Sequence, residues 1–271
     1  MLLISQNIYV IFKAKKSLGQ NFLVDQNILK LISNSTKIEK NNEVVEIGAG
    51  TGNLTEFLIK KNPKKLYLIE KDEKLATLLK NKFSGNINII NEDILKFSKK
   101  NLLNNESIIF GNLPYNISSQ ILVKFIINKN EFKFKKLIFM FQKELADRIL
   151  AKVNSSNYGR FSILANWKFT IEKVVDIKPN SFLPKPKVLS SLLIFNPKTP
   201  LISFKNPENL EHITKVFFNQ RRKKIKKPLN ILFKNSFDIS KKFKLNLDLR
   251  PQNLEPEIFY QLAKEYENLR S

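Results

Sequence analysis

Val44-Val45-Glu46-Ile47-Gly48-Ala49-Gly50-Thr51-Gly52-Asn53-Leu54-Thr55 is the stretch on which the fold turns. A run of β-favouring residues ends in glycine at every second position, and a helix-compatible segment follows at once. Glycine lets the backbone turn tightly and lets a ligand approach where a Cβ would otherwise stand. The spacing is G-x-G-x-G rather than the G-x-G-x-x-G of dinucleotide folds, and it points to a nucleoside cofactor at a strand–turn–helix junction.

Working outward, β-rich runs recur at Glu43–Ile47, Leu66–Ile69, Ile87–Ile90, Ser107–Phe110, Leu137–Phe141, Thr170–Ile177 and Val188–Phe195. Helical stretches lie between the early ones, at Asn53–Lys61, Glu73–Phe83, Ser118–Asn128 and Gln142–Val153. Such alternation, with continuously apolar strands, predicts an α/β fold with a mainly parallel seven-stranded sheet covered on both faces. No long helix separates the last two strands, so the final pairing is expected to be antiparallel and hairpin-like. Beyond Pro179, Pro184, Pro186, Pro197 and Pro200 the chain reads as helices only, over Pro207–Gln220 and Glu255–Leu269. The expected division is a sheet domain over 13–199 and a small all-helical domain over 200–271. Residues 1–12 are expected to be a loosely held extension: the apolar run precedes the basic cluster, the reverse of a secretory signal, and is too short to span a bilayer.

The 271 residues are 42% hydrophobic and 11% aromatic, which excludes a wholly disordered chain. No cysteine is present, so neither disulfides nor thiolate zinc sites are available, and a single histidine, His212, removes most metal and imidazole schemes. A soluble cytoplasmic protein with no metal and no membrane partner is expected. Lysine enrichment accompanies Asn, Ile and Phe enrichment, the pattern of a compositional drift. Yet 47 basic residues face only 24 acidic ones, giving a net charge of +23. That field favours a polyanion, and nucleic acid is the expected partner.

Glu70 ends the second strand, where a carboxylate can accept from both ribose hydroxyls. Asp93 stands just past the third, where a carboxylate can accept from an adenine amine. With the glycine turn, these acids converge on the crevice at the carboxyl ends of neighbouring strands. The arrangement resembles S-adenosylmethionine binding in class I methyltransferases. The fourth strand runs into Asn112-Leu113-Pro114-Tyr115. An exocyclic adenine amine is a poor nucleophile because its lone pair is delocalised into the ring. Acceptors for its two hydrogens, here the Asn112 side-chain oxygen and the Leu113 carbonyl, favour sp³ character as the nitrogen attacks. Pro114 stiffens the turn and Tyr115 can stack on the base.

Taken with Lys16-Ser17-Leu18-Gly19-Gln20-Asn21-Phe22-Leu23, Gln142-Lys143-Glu144, Tyr158-Gly159-Arg160, Phe182-Leu183-Pro184-Lys185-Pro186-Lys187-Val188 and Phe218-Asn219-Gln220-Arg221-Arg222-Lys223, these motifs resemble the KsgA-type ribosomal RNA adenine dimethyltransferases from Ala14 onward. The resemblance implies a Rossmann-like class I methyltransferase fold. It also implies that Asn21 and Leu23 cover the cofactor, and that Gly48, Gly50, Glu70, Asp93 and Asn112 contact it. Tyr115 and Phe182 would sandwich a flipped adenine, with Asn112, Leu113 and Pro114 at the target amine. Gln220, Arg221, Arg222, Lys223 and Lys224 would meet RNA, and six of the seven residues from Arg221 to Lys227 are basic. Two departures stand out: the apolar extension before Lys13, and Pro228, which falls where relatives tend to continue a helix. Trp167 is assigned to packing.

The expected activity is dimethylation of two adjacent adenosines near the 3′ end of small-subunit ribosomal RNA, within an immature subunit and by a monomer. Transfer would be an in-line displacement without a covalent enzyme intermediate, on a base drawn out of its stack. The alternatives are a large-subunit adenine methyltransferase of the macrolide-resistance type, and a non-catalytic assembly or transcription factor on the same fold.

Overall fold

A computed structural model of the chain describes residues 14–15, 18–98, 107–127 and 133–270. The extension over 1–12, Lys13, Lys16, Ser17 and Asn128 lie outside these residues. The described residues form two compact units.

The first unit holds the described residues up to Leu122 together with residues 133–143 and Glu172–Pro197. Its elements in chain order are β1 (Phe22–Leu23), α1 (Gln26–Asn34), β2 (Glu43–Ile47), α2 (Asn53–Ile59), β3 (Lys65–Glu70), α3 (Glu73–Lys82), β4 (Ile87–Asn91) and β5 (Ile108–Asn112). There follow the start of α4 (Ser118–Ile127), β6 (Lys136–Gln142), most of β7 (Phe169–Ile177), β8 (Phe182–Leu183) and β9 (Ser190–Pro197).

Seven strands form one sheet in the order β4-β3-β2-β5-β6-β9-β7. β4, β3, β2, β5 and β6 are parallel, and β9 runs antiparallel to β6. All five residues of β2 are buried, which fits a central strand covered on both faces. β3 lies on one side of β2 and β5 on the other, so the strand order reverses there. In such sheets the crevice outside the carboxyl ends at the reversal point is where ligands bind. Ile47 pairs with Gly111 at that point, so Gly48 and Asn112 flank it.

A separate two-stranded ribbon pairs β1 with β8, Phe22 opposite Leu183 and Leu23 opposite Phe182. Neither this ribbon nor α1 follows from the apolar runs. α1 is signalled instead by Asp25, whose Oδ1 accepts from the Asn27 and Ile28 amides and caps the helix. Ser181 Oγ donates to the other Asp25 oxygen at 3.0 Å, and the Val24 amide donates to the Ser181 carbonyl at 2.8 Å, fastening the ribbon.

The second unit holds residues 123–127, Glu144–Ile171 and 198–270. Besides most of α5 (Lys143–Ile149) it contains α6 (Arg160–Lys168), α7 (Glu208–Asn219), α8 (Lys226–Leu232), α9 (Ser236–Lys242) and α10 (Pro256–Asn268). The expected break near residue 200 falls beside Pro197, but this unit also takes in 144–171. Tyr158 explains the grouping: its hydroxyl donates to the Leu254 carbonyl at 2.9 Å and its ring meets Phe218 edge-on. Trp167 is 3% exposed, donates to the Ile202 carbonyl at 2.8 Å and packs on Phe204. Pro228 sits in the first turn of α8, where the missing amide donor costs no helical hydrogen bond. Among the described residues no helix is long and apolar enough to cross a membrane.

Candidate active site

One cavity in the first unit is lined by the glycine turn after β2, the ends of β3 and β5, and the segment Leu18–Leu23. Gly48 and Gly50 have φ of 71° and 58°, in the left-handed region that glycine tolerates. A Cβ on Gly50 would stand 3.0 Å from the Phe22 ring, so the turn and the Leu18–Leu23 segment lie in close contact.

Glu70 is 6% exposed, and each carboxylate oxygen takes one backbone amide: Oε2 from Gly50 and Oε1 from Asp72, both at 2.9 Å. Burial pushes its carboxyl above the ordinary glutamate value, and those two amides partly offset it. Each oxygen keeps acceptor capacity for a further donor, which suits a ribose diol. Asp93 is held by Lys71 at 2.8 Å and by the Leu95 amide at 2.9 Å. Burial raises its pKa, but Lys71 and the Leu95 amide outweigh it and hold the carboxyl below the usual aspartate value. It stays an acceptor at neutral pH.

Asn112 Nδ2 donates to the Asn21 carbonyl oxygen at 3.0 Å. Its Oδ1 and the Leu113 carbonyl have no hydrogen-bond partner among the described residues, and both residues line the cavity. The Tyr115 hydroxyl shares a hydrogen bond of 2.5 Å with Ser190 Oγ. Burial raises the phenol pKa despite that bond, so the ring is a neutral platform. Pro114 closes the turn by accepting from the Ile117 amide at 3.1 Å.

Asn21, Leu23, Gly48, Gly50, Glu70, Asp93, Asn112, Leu113, Pro114 and Tyr115 therefore border one space. Phe182 does not. It is 3% exposed and belongs to the apolar cluster of Leu23, Ile177, Leu192 and Ile194. Of the two rings expected at the base, the structure brings Tyr115 to the cavity lining, while Phe182 lies in the β1–β8 ribbon opposite Leu23. Gln220, Arg221, Arg222, Lys223 and Lys224 lie in the second unit, at and just beyond the end of α7.

Glu46 is the group that sequence reasoning left without a role. It lines the cavity, is 3% exposed and accepts from Thr55 Oγ1 at 2.6 Å. Burial first, and then the nearby Glu70 charge, push its carboxyl up to about 8, against the Thr55 bond. A carboxylate set between Val45 and Ile47 inside the central strand was the signal for it. Ser190 carried no such signal, because its partner is 75 positions away.

A glycine-turn crevice at the reversal point of a seven-stranded sheet, with a carboxylate at the end of the neighbouring strand, defines a nucleoside-binding enzyme of the class I methyltransferase type. The chain belongs to the ribosomal RNA adenine dimethylase family, whose pattern matches residues 11–268. It is 56% identical over 259 residues to the ribosomal RNA small subunit methyltransferase A of Pelagibacter ubique (strain HTCC1062), covering 95% of this chain and 98% of that one. A dimethyladenosine transferase crystal structure from Plasmodium falciparum superposes with a TM-score of 0.73 at 27% identity, covering 91% of this chain and 98% of that one. The 23S rRNA methyltransferase ErmE shares the fold, with a TM-score of 0.63 at 22% identity and coverage of 91% and 99%.

Proposed function

We propose that the protein dimethylates N6 of two adjacent adenosines in the 3′-terminal hairpin loop of small-subunit ribosomal RNA, using S-adenosylmethionine, as a step in ribosome biogenesis. One observation carries the reading. Asn112 commits its amide nitrogen to the Asn21 carbonyl, which leaves its oxygen and that of Leu113 as acceptors in the cavity that also contains Glu70.

Bound S-adenosylmethionine supplies an electrophilic methyl group on a positively charged sulfur. The residues present fit it: Glu70 has acceptor capacity for a ribose diol, Asp93 for an adenine amine, and the glycine turn leaves room for close approach. At the target base, the Asn112 and Leu113 oxygens accept the two N6 hydrogens and draw the nitrogen toward tetrahedral geometry. Tyr115 supplies the stacking face for the extruded adenine. The N6 proton becomes acidic only after transfer and leaves to water, so no general base is assigned. Positioning then supplies much of the rate.

Arg221 to Lys224 are assigned to RNA phosphates, with an immature small subunit as substrate and a monomer acting in the cytoplasm. The family's small-subunit branch is supported by the 56% identical relative and by the Phe182–Val188 and Asn219–Arg222 motifs. Incubation of separated small- and large-subunit particles with the protein and labelled S-adenosylmethionine should label small-subunit RNA, and primer extension should place the modification on two neighbouring adenosines. Label confined to large-subunit RNA would favour the macrolide-resistance type. Particle binding without transfer would favour an assembly factor.

A further inference from the structure

Asp72 touches the Glu70 carboxylate, the start of α3 and the wall residue Gln20 without itself lining the cavity. Its backbone amide donates to Glu70 Oε1 at 2.9 Å. Its Oδ1 accepts from the Lys74 amide at 3.1 Å and caps α3. Its Oδ2 accepts from Gln20 Nε2 at 3.2 Å and pairs with Lys15 Nζ at 2.8 Å. The side chain is only 4% exposed, whereas Lys15 is 47% exposed.

The segment Leu18–Leu23 supplies one wall of the cavity, and its two halves are held differently. The second half is fixed by the Asn112 amide on the Asn21 carbonyl, by Asn53 Nδ2 on the Leu23 carbonyl at 2.7 Å, and by the β1–β8 ribbon. The first half is internally braced: the Lys15 amide donates to Gln20 Oε1 at 2.7 Å, and the Leu18 amide to the Lys15 carbonyl at 3.0 Å. Among the described residues, the Gly19 carbonyl accepts from Asn21 Nδ2 at 3.3 Å, and the polar ties of this half beyond Asn21 end on Asp72 Oδ2. A carboxylate at a helix N-terminus is already favoured there by the helix dipole, and two donors on one oxygen use what the cap leaves over.

We infer that Asp72 is a positioning residue for cofactor capture: one side chain latches the Lys15–Gln20 end of the wall while the same residue's amide sets the Glu70 carboxylate. This rests on the assignment of the cavity to S-adenosylmethionine and adds a residue that couples the hold on Lys15 and Gln20 to the ribose contact. The latch has the charge to work at neutral pH. Burial raises the Asp72 carboxyl, but the Lys15 and Gln20 bonds outweigh it and hold it below the ordinary aspartate value.

The test uses the full chain and S-adenosylhomocysteine as the calorimetric probe. Asn is an adequate helix cap, so Asp72→Asn keeps α3 while placing a neutral amide against Lys15 and Gln20. Its dissociation constant should rise about tenfold, with KM for S-adenosylmethionine rising in step and kcat at saturating cofactor falling less than twofold. Lys15→Met should raise the constant about threefold and remove most of its salt dependence between 0.05 and 0.5 M, because a part-exposed ion pair is screened. The double variant should bind no more weakly than Asp72→Asn alone, the signature of a shared contact. Effects that multiply, or single variants that bind like the wild type, would overturn the latch while leaving the cavity assignment intact. A wild-type chain that fails to bind the probe would overturn both. An Asp72→Asn chain with a lowered melting temperature but an unchanged constant would reduce Asp72 to a helix cap and overturn the inference.

Discussion

Asn112 Nδ2 is hydrogen-bonded to the backbone carbonyl of Asn21 at 3.0 Å, so the Leu18–Leu23 wall of the cavity determines which way the Asn112 amide faces. Turning the amide over would set its oxygen against a carbonyl oxygen and waste its acceptor. The acceptor proposed for the target base is therefore oriented by the segment proposed to cover the cofactor.

Asn112→Ala should lower kcat about 100-fold or more, the scale expected when a group aimed at developing charge is removed. Particle binding should survive. Asn112→Asp should be as inactive and should also weaken cofactor binding, because a carboxylate would repel the Asn21 carbonyl. Single-turnover transfer and particle pull-down measure the two quantities, and equal loss of both in Asn112→Ala would refute the assigned role.

Glu70→Gln should raise the dissociation constant for S-adenosylhomocysteine by more than tenfold. The two oxygens of Glu70 each receive a backbone amide, so one end of a glutamine would present a donor to a donor. Calorimetry is the check, and a constant within twofold of wild type would exclude Glu70 as the ribose acceptor.

Glu46 predicts a pH dependence of stability with a definite sign. Its folded pKa of about 8 lies above the unfolded value of 4.5. Its contribution is complete below pH 4.5 and is lost as pH rises through 8, because the unfolded chain ionises first. The slope in that interval approaches about 1.4 kcal/mol per pH unit. Urea unfolding should show the stability of Glu46→Gln gaining on wild type by more than about 1 kcal/mol between pH 5.5 and 8. Parallel curves would mean that Glu46 is ionised in the fold.

Gly52→Ala should destabilise the first unit by about 2–3 kcal/mol. Gly52 has φ 79°, and an added Cβ would stand 2.5 Å from the Phe83 ring. The midpoint of urea unfolding reports it, and an unchanged midpoint would mean that Phe83 moves aside freely.

Within the basic stretch, Lys224 is paired with Asp248 at 2.7 Å and Arg221 donates to Gln252 at 3.2 Å. Arg222 and Lys223 are exposed, and their side chains have no hydrogen-bond or ion-pair partner among the described residues. Neutralising those two should therefore flatten the dependence of log affinity on log salt by about 1.4, at about 0.7 per single-strand phosphate contact. An unaltered slope in filter binding would place the RNA elsewhere.

The sheet was legible because its strands are short apolar runs that alternate with helices, and each was placed within two or three residues. The cavity was legible because glycines and strand-end carboxylates have few other uses at those positions. Three things were not. The β1–β8 ribbon is two residues long on each side and joins segments about 160 positions apart, so no local pattern marks it. Helix α6 carries apolar residues on several faces, so no amphipathic stripe announces it. Phe182 reads as a loop aromatic among prolines, and its burial emerges only in the folded chain.

The β1–β8 ribbon has a kinetic corollary. Dimethylating two adenosines consumes four donor molecules, so spent thioether must be swapped for fresh donor three times on each substrate. The backbone that encloses the donor is hydrogen-bonded, strand to strand, to the backbone that leads into the Phe182–Ser190 loop, and Ser190 in turn holds the stacking ring. On the proposed reading, the wall beside the donor and the ring beneath the base are thus tied through one short ribbon, and a change in either strand reaches both.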